Sequence, residues 1–359
     1  MKYQLYKPQA INELGGRKNQ EDSIYPLMGE AAEDNRVFVV CDGMGGMDKG
    51  EVASEAVCKT IGRVAEQILK TTGTFKDEDL QHCLQEAYNA LDAADVMHEG
   101  TMGTTMTFLC MHSKGCLVAH IGDSRIYHLR PSLGADKGVL YRSRDHSLVQ
   151  QLYELGEISY NEMGTSPRKN IILRAMQPYQ EQRTKATLAH ITDVQPDDYF
   201  YLCTDGMLER MEDDEIMSIV GHATMSDEEK KNELIARTVG NADNHSAYLI
   251  KVKDVISEPA DKDLKGDEEQ LRAKNKCLND QRKDVAWSEE ESAPAPMPPV
   301  EEDTTETTHA APKQTKKRAS RKPIPVKSGH KTTLISLFIS AVALVAGIIM
   351  GILLFIVFP

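Results

Sequence analysis

The sequence lacks the marks of a secreted protein and of a nucleic-acid-binding protein. Its seven cysteines are scattered and none are spaced as Cys-x-x-Cys, which excludes a disulfide framework and the common zinc sites. The first residues contain no apolar run of signal-peptide length, so we expect a cytoplasmic N-terminal body. Lys and Arg number 42 against 55 Asp and Glu, a net charge of −13. Nucleic acid is therefore not an expected partner.

Charge and composition divide the chain into three regions. Residues 1–254 contain the hydrophobic runs of a folded body. Residues 255–333 are rich in Asp, Glu, Lys, Pro, Ala and Thr, and such a segment buries too little apolar surface to fold, so it predicts a charged flexible linker. Residues 334–358 contain no charge and are long enough to span a hydrocarbon core of about 30 Å, which predicts a transmembrane helix.

Eight basic residues precede the predicted membrane helix, and no acidic residue follows residue 306. Basic flanks favour the cytoplasmic side of a membrane, so we expect a single-pass C-terminal anchor that holds the body at the cytoplasmic face. Membrane lipid is then a partner, since the basic block can contact anionic headgroups.

The body alternates predicted strands with predicted helices. Runs of β-branched and aromatic residues predict strands at 36–41, 105–112, 115–122, 125–130, 199–203 and 247–252. Apolar periodicity predicts helices at 51–70 and 77–97, and Ser226 followed by acidic residues predicts the start of a helix over 226–240. Consecutive strands followed by helices in pairs indicate a layered α+β body.

The informative pattern is an aspartate at the end of each of several hydrophobic strands. The positions are Asp42-Gly43, Asp123, Asp205-Gly206 and Asp243, with Arg17, Glu21 and Asp22 near the N-terminus. Carboxylates at one rim of a sheet repel each other unless a cation lies between them, and Mg²⁺ or Mn²⁺ suits oxygen ligands. Singly, each Asp-Gly is also compatible with a turn. The glycine-rich DGMGG also suits a phosphate loop, although it lacks the Lys-Ser/Thr of a P-loop.

Seven motifs in order give the body a family resemblance. They are RKNQED at 17–22, VVCDGMGG at 39–46, MGTTMT at 102–107, HIGDSRIY at 120–127, RDHSLVQQL at 144–152, LCTDGM at 202–207 and DNHSAYLI at 243–250. With them, residues 1–254 resemble the PPM-type (protein phosphatase 2C-like) metal-dependent serine/threonine protein phosphatases, in particular the bacterial branch. The resemblance implies an α+β fold: a four-layer β-sandwich of two antiparallel sheets flanked by helix pairs.

The resemblance also implies the roles of the site residues. Asp42 would bridge two Mn²⁺ or Mg²⁺ ions, with a carbonyl ligand from Gly43. Asp205 and Asp243 would bind one ion, and Glu21 would serve the other, with Asp22 holding its water. Asp123 matches the ligand of a third, weaker ion. Arg17 would grip the substrate phosphate, so the catalytic set is Arg17, Asp42 and Asp205; the alternative for Arg17 is a surface ion pair with Glu21 or Asp22.

Some positions point to support rather than reaction. Thr104 and Thr105 are expected to brace the site, His146 to order a loop, and Cys41 and Cys203 to lie in the core. Met44 occupies the place of a histidine that acts as the proposed general acid in many eukaryotic members of the family, and methionine donates no proton. Our hypothesis is that the proton for the seryl or threonyl leaving oxygen comes from water on a metal held through Asp123.

The sequence thus predicts a membrane-tethered phosphatase that hydrolyses phosphoserine and phosphothreonine in proteins, with phosphorylated proteins, transmembrane serine/threonine kinases among them, as partners. Two alternatives stay open. One is a membrane-anchored pseudophosphatase that binds phosphoproteins as an adaptor. The other is a metal-dependent phosphohydrolase of small phosphate esters.

Overall fold

The computed structural model describes residues 1–45, 49–96 and 101–256. It contains twelve strands: β1 (Lys2–Leu5), β2 (Gln9–Glu13), β3 (Asp22–Tyr25), β4 (Val37–Met44), β5 (Gly103–Thr104), β6 (Met106–His112), β7 (Gly115–Ile121), β8 (Arg125–Leu129), β9 (Val139–Arg142), β10 (Thr187–Ile191), β11 (Tyr199–Cys203) and β12 (His245–Ile256). Its six α-helices are α1 (Lys49–Thr72), α2 (Asp77–Ala94), α3 (Leu148–Glu154), α4 (Tyr160–Thr165), α5 (Asp213–Val220) and α6 (Asp227–Thr238).

The strands form two antiparallel sheets. The first sheet has the order β1-β12-β11-β8-β9, with β2 also paired to β12. The second has the order β10-β7-β6-β4-β3, with β5 paired to β4. Alternation in β11 sends Phe200 and Leu202 into the core between the sheets, while Tyr199 and Tyr201 face the opposite side. The sandwich is thus filled from both inner faces.

Helices cover both outer faces. On α1, Ala53, Val57 and Ile61 recur every four residues and pack with α2 against β4, β6 and β7. On the other side, α5 and α6 pack against β11 and β12. The predicted four-layer sandwich of two antiparallel sheets flanked by helices is confirmed.

Most predicted elements lie where the sequence placed them. Helix α6 begins as expected, since the Ser226 side chain accepts a hydrogen bond from the backbone N–H of Glu229. Helix α2 ends at Ala94, three residues before the predicted end at 97. Strand β12 continues to Ile256, beyond the predicted strand at 247–252 and two residues past the predicted end of the domain at 254. The sequence does not predict strands β1, β2, β3, β5, β9 and β10 or helices α3, α4 and α5, because these elements are short or only half-buried.

The other two predicted segments belong to the C-terminal part of the chain. Apart from residues 255 and 256, the predicted linker (255–333) and membrane helix (334–358) lie outside the described residues. Over the ranges that are described, no helix combines the length and the apolar character needed to cross a membrane.

Candidate active site

Two aspartates face each other at one end of the second sheet. Asp22 in β3 and Asp42 in β4 are directly opposite residues of an antiparallel pair, so their Cβ atoms share one face about 4.5–5.5 Å apart. Two residues along each strand on that face, Ile24 and Val40 belong to the core between the sheets. The carboxylates therefore lie at the end of the inter-sheet core.

Thr204 connects this pair to the other sheet. It is fully buried just after β11, its Oγ1 donates to Asp22 Oδ2 at 3.0 Å, and the same oxygen accepts from the N–H of Ser246 at 3.0 Å. One hydroxyl thus joins β3 of the second sheet to β11 and β12 of the first. The sequence predicts no role for Thr204, because its only local signal is its place directly before Asp205.

The backbone of Asp42 is held by the two predicted supporting threonines. Its N–H donates to Thr105 Oγ1 at 2.9 Å, and its carbonyl accepts from Thr104 Oγ1 at 2.9 Å. Thr105 Oγ1 also lies 2.7 Å from the hydroxyl of Ser124, the neighbour of Asp123. The supporting role predicted for this motif agrees with these contacts.

Glycines allow the backbone segments of the site to approach each other. A Cβ atom on Gly43 would lie 2.1 Å from the carbonyl oxygen of Gly50 and 2.5 Å from that of Glu21. A Cβ atom on Gly206 would lie 1.9 Å from the carbonyl oxygen of Asn244. Only glycine fits at 43 and 206, which explains why an aspartate is followed by glycine at both strand ends.

Asn244 fastens the N-terminal loop to the site. Its Oδ1 accepts from the N–H of Glu21 at 2.9 Å, and its Nδ2 donates to the carbonyl of Leu14 at 2.8 Å. This buried amide places Glu21 beside Asp243, although 222 positions separate them in the sequence. In the sequence, Asn244 is marked only by its position next to Asp243, because its role depends on a tertiary contact.

The predicted aspartates share one electrostatic neighbourhood. Burial raises the pKa of Asp22 to about 7, and the charges of Asp205 and Asp243 add to the rise, while the hydrogen bond from Thr204 opposes it. Burial and then the charge of Asp22 raise the pKa of Asp42 well above its ordinary value. Burial and the charge of Asp205 do the same for Asp123, and burial and Asp243 raise the pKa of Asp205. Desolvated like charges of this kind favour a bound cation.

Arg17 lies at the rim of this cluster. Its Nη2 donates to Asp243 Oδ2 at 2.7 Å, with 51% of the arginine side chain exposed. The ion pair named as the alternative for Arg17 therefore exists, but with Asp243 and not with Glu21 or Asp22. The sequence suggested the two nearest acids, whereas the fold brings Asp243 to the loop through the close approach of Gly15 to the Asp243 carbonyl.

The donor set fits divalent cations in its chemistry. Asp22, Asp123 and Asp205 each have a buried Oδ1 with no hydrogen-bond partner among the described residues, and such oxygens are the ligands that Mg²⁺ and Mn²⁺ prefer. Within the same residues, no three acidic, histidine or cysteine side chains converge into a complete ligand set. Asp243 is instead turned toward Arg17, whose Nη2 donates to it.

The remaining supporting residues behave as expected. The ring of His146 accepts from the N–H of Gly122 through Nδ1 at 3.2 Å, and its backbone N–H donates to the Gly122 carbonyl at 2.9 Å. It therefore orders the turn before Asp123. Cys41 and Cys203 are fully buried in hydrophobic clusters.

Comparisons with known proteins agree with this geometry. The family model for protein phosphatase 2C matches residues 18–239. A putative protein phosphatase 2C-type protein of Streptococcus pyogenes is 31% identical over 247 residues, 65% of this chain and 92% of that protein. The serine/threonine phosphatase stp of Listeria monocytogenes is 28% identical over 62% of this chain and 86% of its own length. The solved catalytic domain of the phosphatase PstP in complex with two manganese ions superposes with a TM-score of 0.55 and 28% identity, covering 70% of this chain and 99% of that structure.

Proposed function

Since this chain belongs to the protein phosphatase 2C family, we propose that it hydrolyses phosphoserine and phosphothreonine in proteins with divalent metal ions as cofactors. The observation that carries the proposal is the cluster of mutually repelling carboxylates at the end of the inter-sheet core, two of them buried and the others half-buried, with an exposed arginine at its rim.

The ligand assignment rests on the family resemblance and on the shared electrostatic neighbourhood of the carboxylates. The charges of Asp22, Asp205 and Asp123 all raise the pKa of Asp42, and the resemblance assigns Asp42 as the residue that would hold both ions. Asp205 and Asp243 would hold one ion, while Glu21, the Gly43 carbonyl and, through a water, Asp22 would hold the other. Bound Mn²⁺ or Mg²⁺ would supply the Lewis acid that makes water nucleophilic near neutral pH. Asp123 is assigned to a third, weaker ion.

Arg17 is the substrate-binding residue of the proposal. Its exposed pair with Asp243 contributes about 0–1 kcal/mol, so a phosphate dianion can replace the carboxylate at small cost. The planar guanidinium then donates two parallel hydrogen bonds to phosphoryl oxygens. Arg17 thus orients the phosphoryl group over the carboxylate cluster and neutralises part of its charge.

We assign protonation of the leaving group to a water molecule held through Asp123. Met44 cannot donate a proton, whereas Asp123 is buried and its Oδ1 has no hydrogen-bond partner among the described residues. An alkoxide from serine needs a proton far more than an aryl oxide does. We therefore expect Asp123→Asn to lose turnover of phosphoserine peptides while keeping turnover of an aryl phosphate; equal loss on both substrates contradicts the assignment.

The test of the function uses the full chain with phosphothreonine peptides, with and without MnCl₂. We expect phosphate release that requires Mn²⁺ and falls at least 100-fold in Asp205→Asn. The matched control is Asp136→Asn, which makes the same change in an exposed loop and should retain wild-type turnover.

The other readings predict different outcomes. Tight phosphopeptide binding without turnover in either protein favours the adaptor. Turnover of small aryl phosphates with none of phosphopeptides favours a hydrolase of small esters. Either result refutes the protein phosphatase proposal.

We also propose that residues 334–358 anchor the chain in a membrane, so that membrane proteins, including transmembrane serine/threonine kinases, are candidate substrates. The support is the uncharged length of this segment and its basic flank. In vesicle flotation with anionic lipid, the full chain should float and a chain ending at residue 333 should stay at the bottom after a high-salt wash. Equal flotation of both contradicts the anchor.

A further inference from the structure

One residue outside the carboxylate cluster holds a rare backbone conformation. Tyr179 has φ of +55°, a region that favours glycine and that other residues keep only when their surroundings enforce it. Its side chain is 44% exposed, so burial of the ring explains little of this conformation. The cause must lie in directional contacts.

Two of those contacts come from Asp92 on α2, and the Asp95 carbonyl is a second acceptor for the Tyr179 hydroxyl at 3.3 Å. Asp92 Oδ1 accepts from the N–H of Tyr179 at 2.9 Å, and the Asp92 carbonyl accepts from the Tyr179 hydroxyl at 2.7 Å. The second carboxylate oxygen of Asp92 accepts from Arg183, whose guanidinium lies 4.7 Å from the centre of the Tyr88 ring. We call Asp92, Tyr179 and Arg183 the α2 clamp. It holds both ends of Tyr179 and the turn that follows.

The segment that the clamp holds contacts the site. Residues 173–186 connect the excursion made by α3 and α4 to β10. The base of that excursion is closed by a bridge between Ser147 and Ile172. Three residues before Tyr179, Met176 exchanges two backbone hydrogen bonds with Thr104, each 2.9 Å long. Thr104 Oγ1 in turn donates to the carbonyl of Asp42.

A continuous path therefore runs from the surface of α2 to the central aspartate. Asp92 fixes Tyr179, the turn fixes Met176, and Met176 pairs with Thr104. Gly103 is packed so closely against the Met176 carbonyl that a Cβ atom there would lie 3.0 Å from it. A shift of the 176–179 turn must therefore displace β5, and with it the group that holds the Asp42 backbone.

We propose that the α2 clamp positions Asp42 for catalysis, with Asp92, Tyr179 and Arg183 as positioning residues that touch no substrate. The proposal rests on the function proposed above for its catalytic consequence. Its structural consequence, the ordering of Thr104 and Met176, is independent of that function.

The test compares Asp92→Ala with Asp77→Ala in the full chain. Asp77 lies on the same helix and accepts from His190 of β10 at 2.8 Å, so its removal also breaks a link from α2 to the second sheet, but one that does not lead to Thr104. Amide hydrogen exchange is followed on peptides covering residues 102–106 and 174–178. Turnover of a phosphothreonine peptide is measured at saturating MnCl₂.

For Asp92→Ala we expect exchange at least tenfold faster in both peptides, kcat at least fivefold lower and KM for the peptide within twofold of wild type. Asp77→Ala should leave all three unchanged. Unchanged exchange in Asp92→Ala overturns the proposal. If the wild type turns over the peptide, a kcat of Asp92→Ala equal to that of the wild type overturns it as well. If Asp92→Ala fails to fold, Arg183→Gln removes the ion pair with Asp92 and the contact with the Tyr88 ring but leaves the Asp92 contacts with Tyr179, and the same criteria apply at threefold. A wild type without turnover refutes the proposed function, while the exchange data still decide the clamp.

Discussion

Thr204 offers the sharpest test of how the two sheets are joined at the site. Replacement by valine keeps the shape of the side chain and removes only the hydroxyl. Asp22 Oδ2 then loses its donor at 3.0 Å, and the N–H of Ser246 loses its acceptor at 3.0 Å. Both groups are buried, so water does not replace the lost partner without opening the core.

The magnitude follows from the two broken bonds. Asp22 is only partly ionised near neutral pH because its pKa is about 7, so its hydrogen bond from Thr204 contributes about 0.5–3 kcal/mol, and a buried backbone N–H left unsatisfied costs about 1–3 kcal/mol. Because valine fills the space of threonine, no cavity adds to the cost. We therefore expect Thr204→Val to lower the free energy of unfolding by about 3 kcal/mol, a large part of the stability of a typical domain.

Thr107→Val is the matched control. Thr107 is equally buried, but its Oγ1 makes one neutral hydrogen bond, to the carbonyl of Val40 at 3.0 Å. Its replacement should cost about 1 kcal/mol. Urea denaturation of both variants in chelator-containing buffer measures the difference without a contribution from bound metal.

The result that would refute this reasoning is equal destabilisation by the two substitutions. It would mean that the Thr204 hydroxyl does not bridge the sheets through Asp22 and Ser246. A second consequence concerns charge: the bond from Thr204 lowers the pKa of Asp22, so the variant should hold the Asp22 proton more tightly and need more MnCl₂ for half-maximal turnover.

Three further measurements probe other features of the fold. Gly206→Ala places a Cβ atom 1.9 Å from the Asn244 carbonyl oxygen and should lower turnover more than tenfold. Gly164 on α4 has open space around it, so Gly164→Ala should instead raise the free energy of unfolding by about 0.5–1 kcal/mol. Burial lowers the pKa of His112 from 6.5 to about 4. Between these pH values the folded state binds fewer protons than the unfolded chain, so the free energy of unfolding falls as the pH falls. In urea denaturation, His112→Gln should therefore reduce the loss of stability between pH 7 and pH 5 by about 2 kcal/mol. Asp198 is fully buried and ion-paired to an arginine, so Asp198→Asn should cost about 3 kcal/mol in the same assay.

The strands that carry the site were predictable from the sequence, because strands that are buried on their faces appear as short runs of hydrophobic residues. Strand β4 alternates between two buried faces, and its hydrophobic run ends at Asp42. Since β11 ends in the same way before Asp205, the two carboxylates were expected at one rim of the sandwich. Local composition was sufficient for this inference, because each strand end and its glycine are adjacent in the chain.

The contacts between these strand ends were not predictable in the same way. The partner of Arg17 is Asp243, and the partner of Asp22 is Thr204, each far away in the sequence. Such pairs depend on the register between strands and on which loop crosses which, and a single sequence records neither. The Asp92 contact with Tyr179 is of the same kind, because nothing local marks a tyrosine for a left-handed backbone.

The position of the site between two sheets links its chemistry to the packing of the core. Asp22 and Asp42 come from the second sheet, while Asp205 and Asp243 flank β11 and β12 of the first. Their mutual repulsion opposes the approach of the sheets, and the hydrophobic residues between the sheets must outweigh it. A neutral donor such as the Thr204 hydroxyl lessens that repulsion locally. The fold therefore keeps several carboxylates together under strain that a divalent cation relieves, which is the property the proposed reaction requires.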